Sequence, residues 1–475
     1  MSVKSLSAQK LLLLLIFIQL VLIFGHIYYQ LYYWPKENLR IVYLDSERVK
    51  SRLSPYGPGL EQELVDIFCR QNGLKATWSK VENLEEGLKK LRLGLADLFI
   101  GLTTKDEFQD DRIRFGPAYL RNNFIVVHNR FRFPLRRPDE LCRVVVFIPD
   151  KEIFEQKLIS YQKKLSCSIK AKRLIPKMEK LYQAITKNKA RFALTDRISF
   201  NHWHPYFVDV RKTYSFDDTF DYKWCWSTRY SELNSMLTVF WDNFFGSTEF
   251  FRLKEKYYGF FPSRIDYYEL DHLMDIVELV LPKYDQYILE AARLYNIDPL
   301  LLVAMIYQES HFNPRAKSKT GVRGLLQLSL DTASYVGISN RIDPEQSILG
   351  GAKYLRFLGN KIIKEKGVNG WDGWFFALAA YNQGPGHLYD AMDLAKRLKK
   401  DHLSWMGLKE VFPLLSYKKY YRTVKRGYCR GFEAVDYVQS IRYYYYILHG
   451  LVVLGRPEAK HLASFLDFVP PDWPN

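Results

Sequence analysis

Tyr307-Gln-Glu-Ser-His-Phe-Asn-Pro314, running on to Gly321-Val-Arg-Gly-Leu-Leu-Gln-Leu328, plants one carboxylate, Glu309, on the apolar side of a short helix. Asp298 can cap that helix, Pro299 suits its first position, and Asn313-Pro314 closes it after about four turns. Leu302, Met305, Ile306 and Glu309 then recur at helical spacing, so the acid shares a stripe with core residues. Burial raises a carboxyl pKa, and an acid that keeps its proton near neutral pH can hand it to a leaving glycosidic oxygen. Taken alone, a Glu at a helix end is usually a solvated or ion-paired side chain. The segments that follow change the balance.

Ser318 to Gly324 is a turn-rich loop leading into Leu325-Leu-Gln-Leu328, an apolar segment whose amide, Gln327, needs partners. Ala377-Leu-Ala-Ala-Tyr-Asn-Gln-Gly-Pro-Gly386 is a second apolar helix that stops at polar Tyr381 and Asn382 and a Gly-Pro-Gly break. Together these segments resemble the lysozyme-like domain of lytic transglycosylases of the soluble-transglycosylase class. Glu309-Ser310 matches the Glu-Ser motif, Gly321, Gly324, Leu325 and Gln327 match Gly-x-x-Gly-Leu-x-Gln, and Ala380-Tyr-Asn-x-Gly384 matches Ala-Tyr-Asn-x-Gly. Glu433-Ala-Val-Asp-Tyr-Val438 is similar to the last motif, whose Glu lines the sugar cleft and whose Tyr-Val packs beneath it. The chain departs from the usual pattern at Val322, Leu326, Ser329 and Leu330, and Ser329 stands where a bulky apolar residue commonly touches substrate.

The resemblance implies Glu309 as sole catalytic acid and base, with Ser318, Gln327, Tyr381, Asn382 and Glu433 contacting the saccharide or positioning the acid. Most glycosidases pair two carboxylates about 5 to 9 Å apart, yet no motif ties a second acid to Glu309. In the implied route Glu309 protonates the oxygen between N-acetylmuramic acid and N-acetylglucosamine, aided by the muramyl N-acetyl group. It then takes the proton of the muramyl 6-hydroxyl, leaving a 1,6-anhydromuramyl end without consuming water. A hydrolytic goose-type lysozyme of the same fold and a non-catalytic protein that binds wall peptide or glycan are the alternatives.

Composition bounds the rest. A chain of 475 residues, 48% hydrophobic and 16% aromatic, is long enough for two packed domains. The formal net charge of +17 suits an anionic polymer or a membrane surface. Nucleic acid is not expected as a partner, because no zinc-ligand spacing, P-loop or recognition motif is present. Neither a metal nor a cofactor is expected. Five widely spaced cysteines, Cys69, Cys142, Cys167, Cys225 and Cys429, allow at most two disulfides and otherwise read as buried thiols. Lys4 and Lys10 precede the apolar run Leu11 to Phe24, followed by Tyr28, Tyr29, Tyr32, Tyr33 and Trp34, which is an export signal or a membrane anchor.

Between that segment and the helical region the rhythm changes. Leu39 to Leu44 reads as a strand, Leu60 to Gln71 and Leu84 to Leu93 as helices, and Leu95 to Leu102 as a buried strand. Such alternation predicts a parallel sheet. Further strands at Phe124 to Val127, Val144 to Ile148 and Phe192 to Leu194, with a return at Tyr222 to Ser227, predict a second lobe inserted in the first. Gly94-Leu-Ala-Asp97, Gly101 and Gly116-Pro-Ala-Tyr119 are similar to the periplasmic solute-binding domains that capture amino acids. In Thr103-Thr-Lys-Asp-Glu-Phe108, Phe108 stands near the position of the usual carboxylate-gripping Arg, with Arg112 displaced further along. Asp196 matches an acid that often meets an α-amine, although an Asp after a strand is also an ordinary helix cap.

The expected architecture is therefore α/β plus mainly α: residues 1-34 a signal or anchor, 35-265 a two-lobed solute-binding-like domain, and 266-475 an α-helical lysozyme-like transglycosylase domain, with the join at Phe260 to Tyr268. A helix from Asp275 to Leu281 should open the second domain. Ile348 to Leu358 and Trp374 to Ala380 read as apolar helices, Trp371 and Trp374 as core or cleft wall, and Tyr443 to Tyr446 as a helical run partly facing the surface. The combination is similar to membrane-bound lytic murein transglycosylases. It implies peptidoglycan glycan strands as substrate, wall-derived peptides at a regulatory first domain, and a place on the periplasmic side of a Gram-negative envelope, peripheral to the outer membrane. Inner-membrane anchoring by residues 11-33 is the alternative.

Overall fold

The computed structural model describes residues 8–32, 37–103, 110–149, 152–174 and 177–474. Lys4, Tyr33, Trp34 and the stretch containing Phe108 lie outside them. The chain divides into two compact units. The first comprises Met1–Val49, Glu61–Asn122 and Asp218–Phe245, and the second Lys50–Leu60, Asn123–Asp217 and Gly246–Asn475. The chain thus leaves the first unit after Asn122 and returns at Asp218, as expected of a lobe inserted within a lobe. Asn123–Asp217 falls in one compact unit with the helical C-terminal region.

Helix α1 (Ala8–Tyr32) is followed by β1 (Asn38–Leu44), α2 (Leu60–Asn72), β2 (Lys75–Val81), α3 (Leu84–Arg92) and β3 (Leu98–Thr103). In the first unit β1 pairs in parallel with β2 and with β3. Crossovers through a helix make parallel pairing possible. Asp97, fully buried just before β3, accepts from the Arg40 backbone N–H at 2.9 Å and from its guanidinium at 2.7 and 3.0 Å, so the buried charge is matched. Gly101 within β3 has φ +93°, and a Cβ there would press on the Leu44 backbone.

Strand β4 (Ile113–Phe115) and β5 (Leu120–Asn129) lead into the second unit, with β6 (Val145–Pro149), α4 (Glu152–Leu165), β7 (Lys170–Leu174), α5 (Met178–Thr186), β8 (Phe192–Asp196), α6 (Arg197–Trp203) and β9 (Val210–Ser227). Strand β5 runs antiparallel to β8, while β7 and β8 flank β6 in parallel. The end of β9 returns antiparallel to β3 and β4 in the first unit. Strands β2, β4, β7 and the first half of β9 were not expected. Among the described residues β2 pairs only with β1 in its unit and β7 only with β6 in its own, and both are rich in lysine, Lys75-Ala-Thr-Trp-Ser-Lys-Val and Lys170-Ala-Lys-Arg-Leu. Edge strands carry such charges because they discourage further pairing, and the charges erase the apolar signal. Cys142 and Cys167 form a disulfide, and Cys69, Cys225 and Cys429 are buried.

The chain then runs through α7 (Ser231–Phe244), α8 (Thr248–Tyr258), α9 (Tyr267–Asp275), α10 (Asp285–Tyr295), α11 (Pro299–Ser310), α12 (Leu330–Val336), α13 (Pro344–Lys366), α14 (Gly370–Gln383), α15 (Pro385–Arg397), α16 (Trp405–Val411), α17 (Lys418–Tyr421) and α18 (Gly431–Val453). The helix expected at Asp275 to Leu281 is instead a π turn over Ile276–Val280 that continues α9. Helix α11 stops at Ser310, earlier than Asn313, because His311 and Phe312 turn left-handed at φ +47° and +60°. Its expected stripe widens into complete enclosure: every residue from Pro299 to Tyr307, and Ser310, is buried. Trp371 and Trp374 are buried, ringed with Trp473 at 5.5 and 4.7 Å.

The four tyrosines Tyr443 to Tyr446 are all buried, contrary to the expected surface share. Each finds a polar partner: His204, Glu269, Asp298 and His202 respectively. A tyrosine can be buried on any face of a helix whose neighbours supply a partner for its hydroxyl. In α1 the large apolar side chains from Leu13 to Phe24 are exposed. Among the described residues no helix is long and apolar enough to cross a membrane.

Candidate active site

Asp298 starts the construction. Its carboxylate accepts from the Leu300 and Leu301 backbone N–H groups at 2.8 and 3.3 Å, and Tyr445 donates to its other oxygen at 2.9 Å. Burial lifts the Asp298 carboxyl to about 6. The cap fixes the first turn of α11, and Glu309 emerges from its last turn. There the apolar enclosure raises the Glu309 pKa to about 7, opposed by one hydrogen bond, from the Tyr437 hydroxyl at 2.6 Å. The side chain is only partly exposed, so the carboxyl keeps an opening while most of its hydration is gone.

Three further devices hold the acid's surroundings. Ser310 donates to the Leu325 carbonyl at 2.9 Å and Tyr381 to the Leu326 carbonyl at 2.8 Å, so the helix end and α14 grip the same apolar segment. Gln327, at φ +45°, turns its amide inward to donate to the Ala316 and Gly324 carbonyls at 3.1 and 2.8 Å. Gly324, at φ +88°, lies where a Cβ would collide with the Arg341 carbonyl. Left-handed His311 and Phe312 closely follow Glu309 in the chain and left-handed Gln327 lies in the loop beyond, and backbone held this way concentrates at working sites.

Of the expected residues, Tyr381 shares the enclosure of Glu309: burial, and then the Glu309 charge, push its hydroxyl well above the ordinary range. Ser318 forms a turn, its hydroxyl accepting from the Thr320 N–H at 3.2 Å. Asn382 is exposed and accepts from Gln383 at 2.7 Å. Glu433 is exposed at the start of α18, paired with Arg430 at 3.0 Å. It precedes Tyr437 by one helical turn, so the two lie on one face. Ser329 caps α12, accepting from the Thr332 N–H at 3.0 Å, which accounts for a small polar residue there.

Tyr437 was expected only as packing beneath the cleft, yet it is the polar partner of Glu309. The spacing Glu433-x-x-x-Tyr437 carried the signal. Asp196 caps α6, accepting from the Ser199 N–H and hydroxyl at 2.8 and 2.7 Å. Arg112 is exposed and paired with Asp110 at 3.0 Å. These two belong to different compact units.

A transglycosylase SLT domain family matches residues 286–404, a stretch that contains Glu309, Ser318, Gln327, Tyr381 and Asn382. Membrane-bound lytic murein transglycosylase F of Shewanella baltica is 34% identical over 390 residues, covering 82% of this chain and 80% of the relative. The chain belongs to the membrane-bound lytic murein transglycosylase F family. The Vibrio campbellii member is 31% identical over 445 residues, covering 89% of this chain and 82% of its own length, and the likeness therefore extends well beyond the SLT stretch. Tyr437 and Glu433 lie outside that stretch. Among solved structures, an ancestral arginine-binding protein bound to arginine is 15% identical with a TM-score of 0.38, covering 47% of this chain and 99% of its own. The substrate binding protein of an amino acid ABC transporter, 13% identical, covers 47% of this chain and 99% of its own at a TM-score of 0.39.

Proposed function

We propose that this chain is a peptidoglycan lytic transglycosylase that cuts the β-1,4 bond between N-acetylmuramic acid and N-acetylglucosamine and leaves a 1,6-anhydromuramyl end. The observation that carries the reading is a single carboxyl, Glu309, raised to about 7 by desolvation, with a tyrosine hydroxyl and no second acid among the causes of its shift. In the first step protonated Glu309 gives its proton to the bridging oxygen, and the muramyl N-acetyl oxygen attacks the anomeric carbon as the leaving sugar departs. In the second, the Glu309 carboxylate takes the proton of the muramyl 6-hydroxyl, whose oxygen closes on the same carbon and expels the acetamido oxygen. Losing its proton in the first step prepares the residue for the second, so one acid suffices and no water is consumed.

Tyr437 orients Glu309 and stabilises its charged form between the steps. Tyr381 supports the loop carrying Gln327, while Ser318, Gln327, Asn382 and Glu433 contact the strand. Residues 266-475 would hold the chemistry and 35-265 a regulatory role answering wall-derived peptides. Asp196 and Arg112 already have internal partners, which a ligand there would have to displace. The family name supports envelope association; a place on the periplasmic side, peripheral to the outer membrane, is the finer reading proposed with it. Digestion of purified peptidoglycan followed by mass spectrometry tests the reading: anhydromuramyl products are expected, and only reducing muramyl ends would make the protein a lysozyme.

A further inference from the structure

Between Ser416 and Phe432 the chain carries Lys418, Lys419, Arg422, Lys425, Arg426 and Arg430 and no acid. All six are exposed. Arg430 pairs with Glu433 at 3.0 Å, and the other five make no ion pair among the described residues. Exposed Tyr417, Tyr428 and Phe432 are interleaved with them. A solvated cationic face is the ordinary explanation of scattered lysines, but such faces usually intersperse acids, whereas unrelieved like charge repels itself.

The fold nonetheless holds this segment in place. Buried Asp390 accepts from the Lys425 and Arg426 backbone N–H groups at 3.2 and 2.7 Å, and Ser416 donates to the Cys429 carbonyl at 2.9 Å. The segment also abuts the site. The Cys429 thiol reaches Gln383 Oε1 at 3.4 Å, Gln383 in turn donates to Asn382 at 2.7 Å, and the Arg426 side chain lies against Gly386. At its other end the segment passes directly into Glu433 and Tyr437 of α18.

We infer that Ser416–Phe432 is a docking surface for the free carboxylates of the peptide stems borne by muramyl residues, so that the enzyme prefers peptide-bearing glycan over bare glycan. The inference rests on peptidoglycan being the substrate. Peptide stems are favoured over an anionic lipid surface because the cations border Asn382 and Glu433, where the strand itself would lie. A stem projecting from a muramyl residue in the cleft reaches them with its carboxylates, and the aromatic rings cover its apolar atoms.

The test compares the unaltered protein with a combined Lys418→Gln, Lys419→Gln, Arg422→Gln variant on peptide-bearing strands and on strands stripped of peptide by an amidase. Expected is a fall of about 5- to 10-fold in kcat/KM, with a flatter salt dependence, on peptide-bearing strands only. Equal turnover by both proteins on both substrates overturns the inference, as does the same loss on both. Unchanged turnover combined with lost co-sedimentation on phosphatidylglycerol vesicles assigns the surface to a membrane instead and also overturns it. If the triple variant melts lower, Lys418→Gln alone gives the same comparison at smaller amplitude. Failure of the unaltered protein to cut either strand sinks the transglycosylase reading and this role with it.

Discussion

Glu309 holds its proton because α11 is enclosed on every side except the opening at its last turn, and removing its charge has two separable consequences. Glu309→Gln should abolish turnover, read as loss of anhydromuropeptides in a digest, while the glutamine oxygen can still accept from Tyr437. It also changes the pH dependence of stability. The folded-state pKa, about 7, lies above the ordinary 4.5, so the folded protein binds more protons between those values and the parent loses stability as pH rises through them. The variant does not. Its advantage should be absent below about pH 4 and reach on the order of 1–3 kcal/mol above pH 8, discounted because the carboxyl keeps a face to solvent. A melting-temperature difference that stays flat with pH would sink this account. Tyr437→Phe removes the one contact that lowers the Glu309 pKa. The alkaline fall of kcat/KM, which reports loss of the acid's proton, should therefore move to higher pH, whereas a purely structural role would lower the rate and leave the profile where it is.

Helix α11 was legible at its start, since an Asp-Pro pair is both cap and first-turn signal, and less so at its end. Two left-handed residues with side chains stop it, and no residue type in His311-Phe312 announces that conformation. The stripe through Leu302, Met305, Ile306 and Glu309 was real, but periodicity could not tell one buried face from burial on all sides, because the partners on the other faces come from distant helices such as α18. Asp298→Ala should cost about 1–2 kcal/mol in thermal or denaturant unfolding, since it strips the cap and leaves the Tyr445 hydroxyl without its acceptor. Asp298→Asn, which can still accept, should cost less, and equal losses would mean that the cap is not what holds the helix. Gly324→Ala should cost roughly 2–4 kcal/mol, because it combines a left-handed backbone with a collision against a carbonyl that belongs to another segment. The Gly-x-x-Gly spacing marked a turn there, and only the packed Arg341 carbonyl gives the reason that no methyl fits.

Across the whole molecule, the alternation of strands and helices carried the α/β fold and its inserted lobe, while the lysine-rich edge strands hid from a reading based on apolar pattern. The grouping of residues 123–217 with the C-terminal helices left no such trace. Phe200, Trp203 and Tyr206 belong to the same buried cluster as Phe260, Tyr445 and Tyr446, although they are far apart in the chain. A fragment beginning at residue 266 should consequently melt lower than the full chain, by roughly 10 °C or more, because that apolar surface is returned to water. Equal melting temperatures would show that the lobe adds nothing to the helical region. The sequence by itself determined the local signals: where α11 starts, which turns need glycine, and that one acid stands beside a loop with a polar amide, since each depends on residues a few positions apart. Only the tertiary structure decided that Tyr437 meets Glu309, that four consecutive tyrosines are all buried, and that a cationic segment borders Asn382. Those facts depend on which distant surfaces exclude water together, and exclusion of water is what turns Glu309 from an ordinary carboxylate into an acid that still holds its proton near neutral pH.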